Sequence, residues 1–221
     1  MSFKAVIFDL DGVLLSTDRY HYQAWKKLAD ERNIYFDTSI NERLRGVSRI
    51  ESLEIILERS ESVYSKPEKE AMASAKNEIY RQLLDSLSSA SIFPGVIELL
   101  DELDRRGLKK AIGSSSKNAG YILKKVGLSD RFAGVVCDGT HITRSKPDPQ
   151  VFLKAAILVN VLPEYCLVIE DADAGVLAAK AAGMSVLGMG SAAEHPECDL
   201  RATTLSEAAH LILEKVTRSV T

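Results

Sequence analysis

The spacing of apolar positions changes along the chain, and the changes outline a fold. Val6-Ile7-Phe8 is a short unbroken apolar run, as expected of a strand buried on both faces. Comparable short runs occur at 110–112, 134–136, 166–169 and 185–189. Between them the period turns helical. Val96, Leu99, Leu100 and Leu103 form one stripe, opened by Pro94-Gly95 and stopped by Gly107. A helix over 118–126 ends at Gly127, and another, with Asp148 as N-cap and Pro149 at its first position, reaches about Asn160. Further helices span about 174–182, before Gly183, and 205–216. Strands alternating with helices predict an α/β fold: a Rossmann-like, doubly wound parallel sheet covered on both faces.

One long stretch departs from this rhythm. Residues 16–90 show helical spacing and no strong strand signal: 21–33 with Ala24, Trp25 and Leu28, 50–59 with Leu53, Ile56 and Leu57, and 67–87. An all-helical insert between two strands reads as a cap domain. The expected division is a catalytic core of 1–15 and 91–221 with a helical cap of 16–90, which 221 residues accommodate.

Composition excludes several classes. With 28 basic and 31 acidic residues, a formal charge of −3 and no basic run, nucleic acid is not an expected partner. No apolar run approaches the ~20 residues of a membrane span. The three cysteines, Cys137, Cys166 and Cys198, have neither disulfide-framework nor zinc spacing. Nothing at the start reads as a secretory signal and free thiols suit a reducing cytoplasm, so a cytoplasmic protein is expected; a monomer is the working expectation, although the sequence does not encode oligomeric state.

The chemistry gathers at predicted strand ends. Asp9 and Asp11 follow the first strand, and Gly12 lets the chain turn. In open parallel sheets ligands bind beyond the carboxyl ends of the strands. Two neighbouring carboxylates repel unless a cation or a shared proton stands between them. Gly113-Ser114-Ser115-Ser116 ends another strand, Lys146 lies in Ser145-Lys146-Pro147-Asp148-Pro149, and Glu170-Asp171 closes a third apolar run. Singly, these are an Asp-rich turn, a serine turn, a solvated loop and an acidic helix start. Together they offer acids for a cation, with a hydroxyl and an ammonium for an anion, which is the equipment of Mg²⁺-dependent phosphoryl transfer. Asp9 can attack phosphorus as a carboxylate nucleophile, and Ser114 and Lys146 can clamp the phosphoryl group.

These four motifs, in this order, resemble the haloacid dehalogenase superfamily over nearly the whole chain. Finer features resemble its β-phosphoglucomutase family: His21 and Trp25, then Gly46-Val47-Ser48-Arg49, Lys76-Asn77 and Ser114-Ser115-Ser116-Lys117-Asn118. The resemblance implies a haloacid dehalogenase-like core, with Asp11 as general acid/base and its backbone carbonyl as a metal ligand. Asp9, Glu170 and Asp171 would complete the Mg²⁺ shell. Arg49, with Lys76, would hold a second phosphate in the cap, and Lys117 and Asn118 would reach sugar hydroxyls. His21 and Trp25 share a helical face toward the site, although Trp25 is equally suited to cap packing. Thr17 would be the hinge. The family usually carries an acid just before that hydroxyl, where this chain has Ser16, with Asp18 displaced beyond it. His141, His195 and His210 fit no motif and are expected in loops or on the surface.

The expected reaction converts β-glucose 1-phosphate to glucose 6-phosphate through a phosphorylated Asp9 and a glucose 1,6-bisphosphate intermediate. The main rival is a Mg²⁺-dependent phosphatase acting on a small sugar phosphate, which needs no Arg49 site. A second rival, a non-catalytic sugar-phosphate sensor, sits poorly with an intact Asp9, Asp11, Lys146 and Glu170.

Overall fold

The computed structural model describes residues 3–60 and 62–217. The chain enters through β1 (Ala5–Phe8), every residue of which is buried. It then leaves the sheet for four consecutive helices: α1 (Asp18–Glu31), α2 (Thr38–Glu42), α3 (Arg49–Leu57) and α4 (Lys66–Leu84). After these come α5 (Val96–Arg105), β2 (Lys109–Gly113), α6 (Ala119–Val126), β3 (Val136–Cys137) and α7 (Gln150–Leu158). The remainder is β4 (Cys166–Glu170), α8 (Asp173–Ala181), β5 (Ser185–Gly188), β6 (Leu200–Arg201) and α9 (Leu205–Thr217).

The six strands form one parallel sheet in the order β3-β2-β1-β4-β5-β6. Alternation along β1 explains why both faces are covered. Val6 and Phe8 join a cluster with Val96, Leu99 and Leu100 of α5, Ile122 of α6 and Ile212 of α9. Ala5 and Ile7 point the other way, into a cluster with Phe152 and Ala155 of α7 and Val176 and Ala179 of α8. The inserted helices have an apolar core of their own, in which Trp25 and Leu28 meet Leu53, Ile56 and Met72. Their roots are tied to the sheet's core, because Tyr20, Ala24, Tyr80 and Leu84 belong to the first cluster.

Register sets the site. Phe8 aligns with Ile112 of β2 and Ile169 of β4, so the residues just beyond these strands emerge side by side. From β1 the chain steps outward through β2 and β3, then returns to build β4, β5 and β6 on the other side. The crevice of a doubly wound sheet opens at such a reversal.

Local differences from the sequence reading have local causes. α2 is a single turn, capped where the Asp37 carboxylate accepts the Ile40 N–H at 2.8 Å, and one turn leaves no period to read. β6 is two residues long. β3 lies at Val136–Cys137 rather than 134–136, because Gly134 takes a left-handed φ of 76°. α7 begins at Gln150, one residue after Pro149, and the Asp148 carboxylate accepts the Gln150 N–H at 3.0 Å. α1 starts at Asp18, three residues earlier than its apolar stripe suggests.

Candidate active site

A cleft of about 1080 Å³ lies between the strand ends and the inserted helices. Its lining includes Asp9, Asp11, Ser114, Lys146, Glu170 and Asp171 from the sheet side, and His21, Trp25, Gly46, Val47, Ser48, Arg49 and Lys76 from the inserted side. Ser115, Ser116, Lys117 and Asn118 line it as well. These residues from the sequence reading therefore share one cavity; Thr17, bonded to Asp11, and Asn77, bonded to Asn118, are not in its lining.

Lys146 is the electrostatic centre. Its ammonium is 1% exposed and donates to Asp9 Oδ1 at 2.5 Å and to Glu170 Oε1. It also stands 4.7 Å from the centre of the Phe152 ring. Burial alone would lower the pKa of this ammonium, but the two carboxylates beside it hold it above its ordinary value. The second oxygen of Glu170 accepts the N–H groups of Asp171 and Ala172, at 3.0 and 3.1 Å, at the entry to α8. Gly175 allows this: a Cβ there would come within 1.9 Å of the Glu170 carboxyl. Gly12 does the same for Asp171, since its φ is 86° and a Cβ would lie 2.0 Å from the Asp171 carboxylate oxygen.

One ammonium does not balance this many acids. Burial raises the Glu170 carboxyl above the ordinary range, despite Lys146. Burial also raises Asp171, followed by the charges of Glu170, Asp9 and Asp11. Asp11 is pushed up to about 7, first by burial and then by the charge of Asp18, against two hydrogen bonds that lower it. Such a set of hard oxygen donors, crowded enough to retain protons, suits a hard divalent cation. Among the described residues no three of them are already drawn around a single point.

Asp11 is held by the insertion. The Thr17 N–H donates to its Oδ1 at 2.5 Å, and the Thr17 hydroxyl donates to its Oδ2. With that hydroxyl proton committed, the Tyr80 hydroxyl, 2.8 Å away, must donate to Thr17 Oγ1. On the other flank, Lys76 Nζ and His21 Nδ1 are hydrogen-bonded at 2.8 Å, and His21 Nε2 lies 3.9 Å from Asp11 Oδ2. Burial and the Lys76 charge keep the His21 pKa well below its usual value. Lys76 is 1% exposed, and its pKa is driven well down by burial and by Arg49. Its ammonium lies over the rings of Trp25 and Tyr80, at 4.9 and 4.5 Å.

Several placements refine the sequence reading. Lys76 is not a solvent-facing cap lysine. Trp25 packs in the helical core while its ring also underlies Lys76. Asn118 donates to Asn77 across the cleft at 3.0 Å. Ser115 Oγ is buried with no hydrogen-bond partner. Ser16 is exposed, and its hydroxyl accepts the Asp18 N–H at 3.3 Å. Sequence reasoning passed over Tyr80 and Ser52. Both were reachable by helical spacing, Tyr80 four residues after Lys76 on α4 and Ser52 three after Arg49 on α3. Of the three histidines without a motif, His141 and His195 lie in loops, and His210 lies on the exposed side of α9.

The arrangement of a doubly wound sheet, a strand-end acid pair, a buried lysine and a helical insertion defines a class. The chain belongs to the haloacid dehalogenase-like hydrolase family, whose model matches residues 3–183. It is 44% identical over 189 residues to the β-phosphoglucomutase of Bacillus subtilis (strain 168), covering 85% of this chain and 83% of that protein. A crystal structure of β-phosphoglucomutase from Clostridium difficile superposes with a TM-score of 0.91 at 38% identity, covering 99% of each chain. A phosphorylated carbohydrates phosphatase of Thermotoga maritima is 31% identical over 184 residues, 82% of each protein.

Replacing Lys146 by Met tests the charge balance. The variant keeps the side-chain volume but leaves Asp9 and Glu170 without their counter-ion, and breaking a buried pair costs about 3–5 kcal/mol. A carboxyl whose folded-state pKa lies above its unfolded value loses stability as pH rises through the folded value. The deficit relative to wild type, read by urea denaturation, should therefore be largest at about pH 8 and smaller at about pH 5. A deficit below about 1 kcal/mol, or one that shrinks as pH rises, would contradict this picture.

Proposed function

We infer that the protein is a β-phosphoglucomutase, interconverting β-D-glucose 1-phosphate and glucose 6-phosphate through a phosphorylated Asp9 and a glucose 1,6-bisphosphate intermediate. The observation that carries this reading is a cleft lined by basic side chains from both the strand-end loops and the inserted helices. Lys146 and Ser114 stand by Asp9 at the strand ends, and Arg49 and Lys76 stand in the inserted helices. A monophosphate hydrolase needs the strand-end group alone. The 44% identity to the B. subtilis enzyme supports the same reading. We take 1–15 and 91–221 as the catalytic core and 16–90 as the cap.

In this reading Asp9 attacks the phosphoryl group and later returns it to a sugar hydroxyl. Lys146, bonded to Asp9 and Glu170, orients the nucleophile and meets charge developing on the phosphoryl oxygens. Ser114 and the amides after β2 offer donors to those oxygens. Asp11, with a pKa of about 7, is poised to hold or release the proton of the sugar hydroxyl. Thr17 and Tyr80 fix its carboxyl, so proton transfer depends on the cap being seated. Arg49 grips whichever phosphate is not reacting, which leaves the bisphosphate free to turn end for end between half reactions. Closure of the cap keeps water from phospho-Asp9. Asp9, Glu170, Asp171 and the backbone carbonyl of Asp11 are the groups that would hold Mg²⁺, which neutralises the meeting anions. Three buried free thiols suit a reducing cytoplasm.

The Mg²⁺ assignment has a readout apart from turnover. Metal ligation needs ionised carboxylates, and Glu170 and Asp171 retain protons above the ordinary range. The metal-free fold loses stability as these groups ionise with rising pH, and a bound cation offsets that loss. The rise in Tm on adding Mg²⁺ should therefore be larger at about pH 8.5 than at about pH 6. An equal shift at both pH values would remove these acids from the metal site.

Arg49→Ala separates the mutase from the phosphatase. Formation of glucose 6-phosphate should fall roughly 100-fold or more, the scale of a lost bidentate charged contact and misplaced cap. Hydrolysis of acetyl phosphate uses the strand-end site alone and should change less than about threefold. If both rates fall together, Arg49 supports the fold or the core site; if neither falls, the phosphatase reading is the better one.

A further inference from the structure

The inserted helices meet the sheet side at few polar points, and one of them joins the two segments that carry the phosphate-handling groups. Glu51 lies two residues after Arg49, in the first turn of α3. Ser145 immediately precedes Lys146. The Ser145 hydroxyl donates to Glu51 Oε2 at 2.5 Å, across the cleft. The same carboxylate accepts the Ser48 N–H at 2.8 Å, and Ser48 Oγ accepts the Glu51 N–H at 3.3 Å, closing a capping box. The contact therefore grips the start of the helix whose first residue is Arg49. Nearby, Gly46 seats its backbone against the other wall: a Cβ there would lie 3.3 Å from Ala172 Cβ.

We propose that the Glu51–Ser145 hydrogen bond is a latch that registers the Arg49 segment against the Lys146 loop and so decides how phospho-Asp9 is shared between sugar hydroxyl and water. This rests on the mutase reading above. Glu51 and Ser145 act as positioning residues, with no contact to reacting atoms. The carboxylate acceptor makes this a stronger contact than the neutral Asn77–Asn118 hydrogen bond. The bond sits at the rim, so its effect is modest in size. It bears on the ratio of two competing fates, where a modest effect is still measurable.

Ser145→Ala removes the latch and leaves the capping box intact. The ratio of glucose 6-phosphate formed to phosphate released should fall roughly three- to tenfold, the scale of one hydrogen bond to a charged group at a partly exposed position. Amide hydrogen exchange at 46–52 and 143–147 should quicken while the sheet is unchanged. Ser145→Thr, which restores a hydroxyl, should restore both. Glu51→Gln keeps an oxygen for the Ser48 amide and should give an intermediate ratio. Wild-type partition in Ser145→Ala, faster exchange without a change in partition, or failure of threonine to rescue would each overturn the proposal. Should the wild type itself form no glucose 6-phosphate, the mutase reading falls and the partition proposal with it, whereas wild-type turnover with unchanged partition in Ser145→Ala overturns the latch alone.

Discussion

The buried ammonium of Lys146 is the constraint around which the site is arranged. A parallel sheet brings the ends of β1, β2 and β4 together, and this chain places acids on two of them. Acids that close cannot all be charged in a protein interior without compensation. Lys146, bonded to Asp9 and Glu170, supplies part of it, and the amides at the head of α8 supply more. The remainder is left over, as the raised Asp11, Glu170 and Asp171 carboxyls record. A site short of positive charge in this way is ready for a cation and for the electropositive phosphorus of a phosphoryl group, while its lysine and amides remain to meet the phosphoryl oxygens.

The inserted helices complete the site. Tyr80, Thr17 and Asp11 form a chain of hydrogen bonds from α4 to the strand end. Lys76 and His21 flank the same carboxyl from α4 and α1. Tyr20, Ala24, Tyr80 and Leu84 anchor the roots of the insertion in the sheet's own core, and an apolar cluster around Trp25 packs its far end. The Asp11 carboxyl of the core is thus oriented by residues of the insertion.

Much of this was legible in the residues. A short unbroken apolar run such as Val6-Ile7-Phe8 is visible without coordinates, and so is a stripe such as Val96, Leu99, Leu100 and Leu103 with a glycine stop. Strand-end acids and their glycines carry their own physical meaning. Less visible were elements too short to have a period, such as α2 and β6. Burial of a charged residue was also hidden: nothing in the neighbourhood of Lys76 marks it as enclosed by Trp25, Tyr80 and His21, which approach from other turns and another helix. The Ser145–Glu51 contact spans 94 residues and depends on how two segments face each other, which no local pattern encodes.

The central claim is that phospho-Asp9 passes its phosphoryl group to sugar rather than to water. The direct measurement is ³¹P NMR of the wild-type enzyme with β-glucose 1-phosphate, Mg²⁺ and a trace of glucose 1,6-bisphosphate. The account predicts conversion of the substrate signal into that of glucose 6-phosphate, with inorganic phosphate a minor product. Stoichiometric release of inorganic phosphate, with no glucose 6-phosphate, would contradict it.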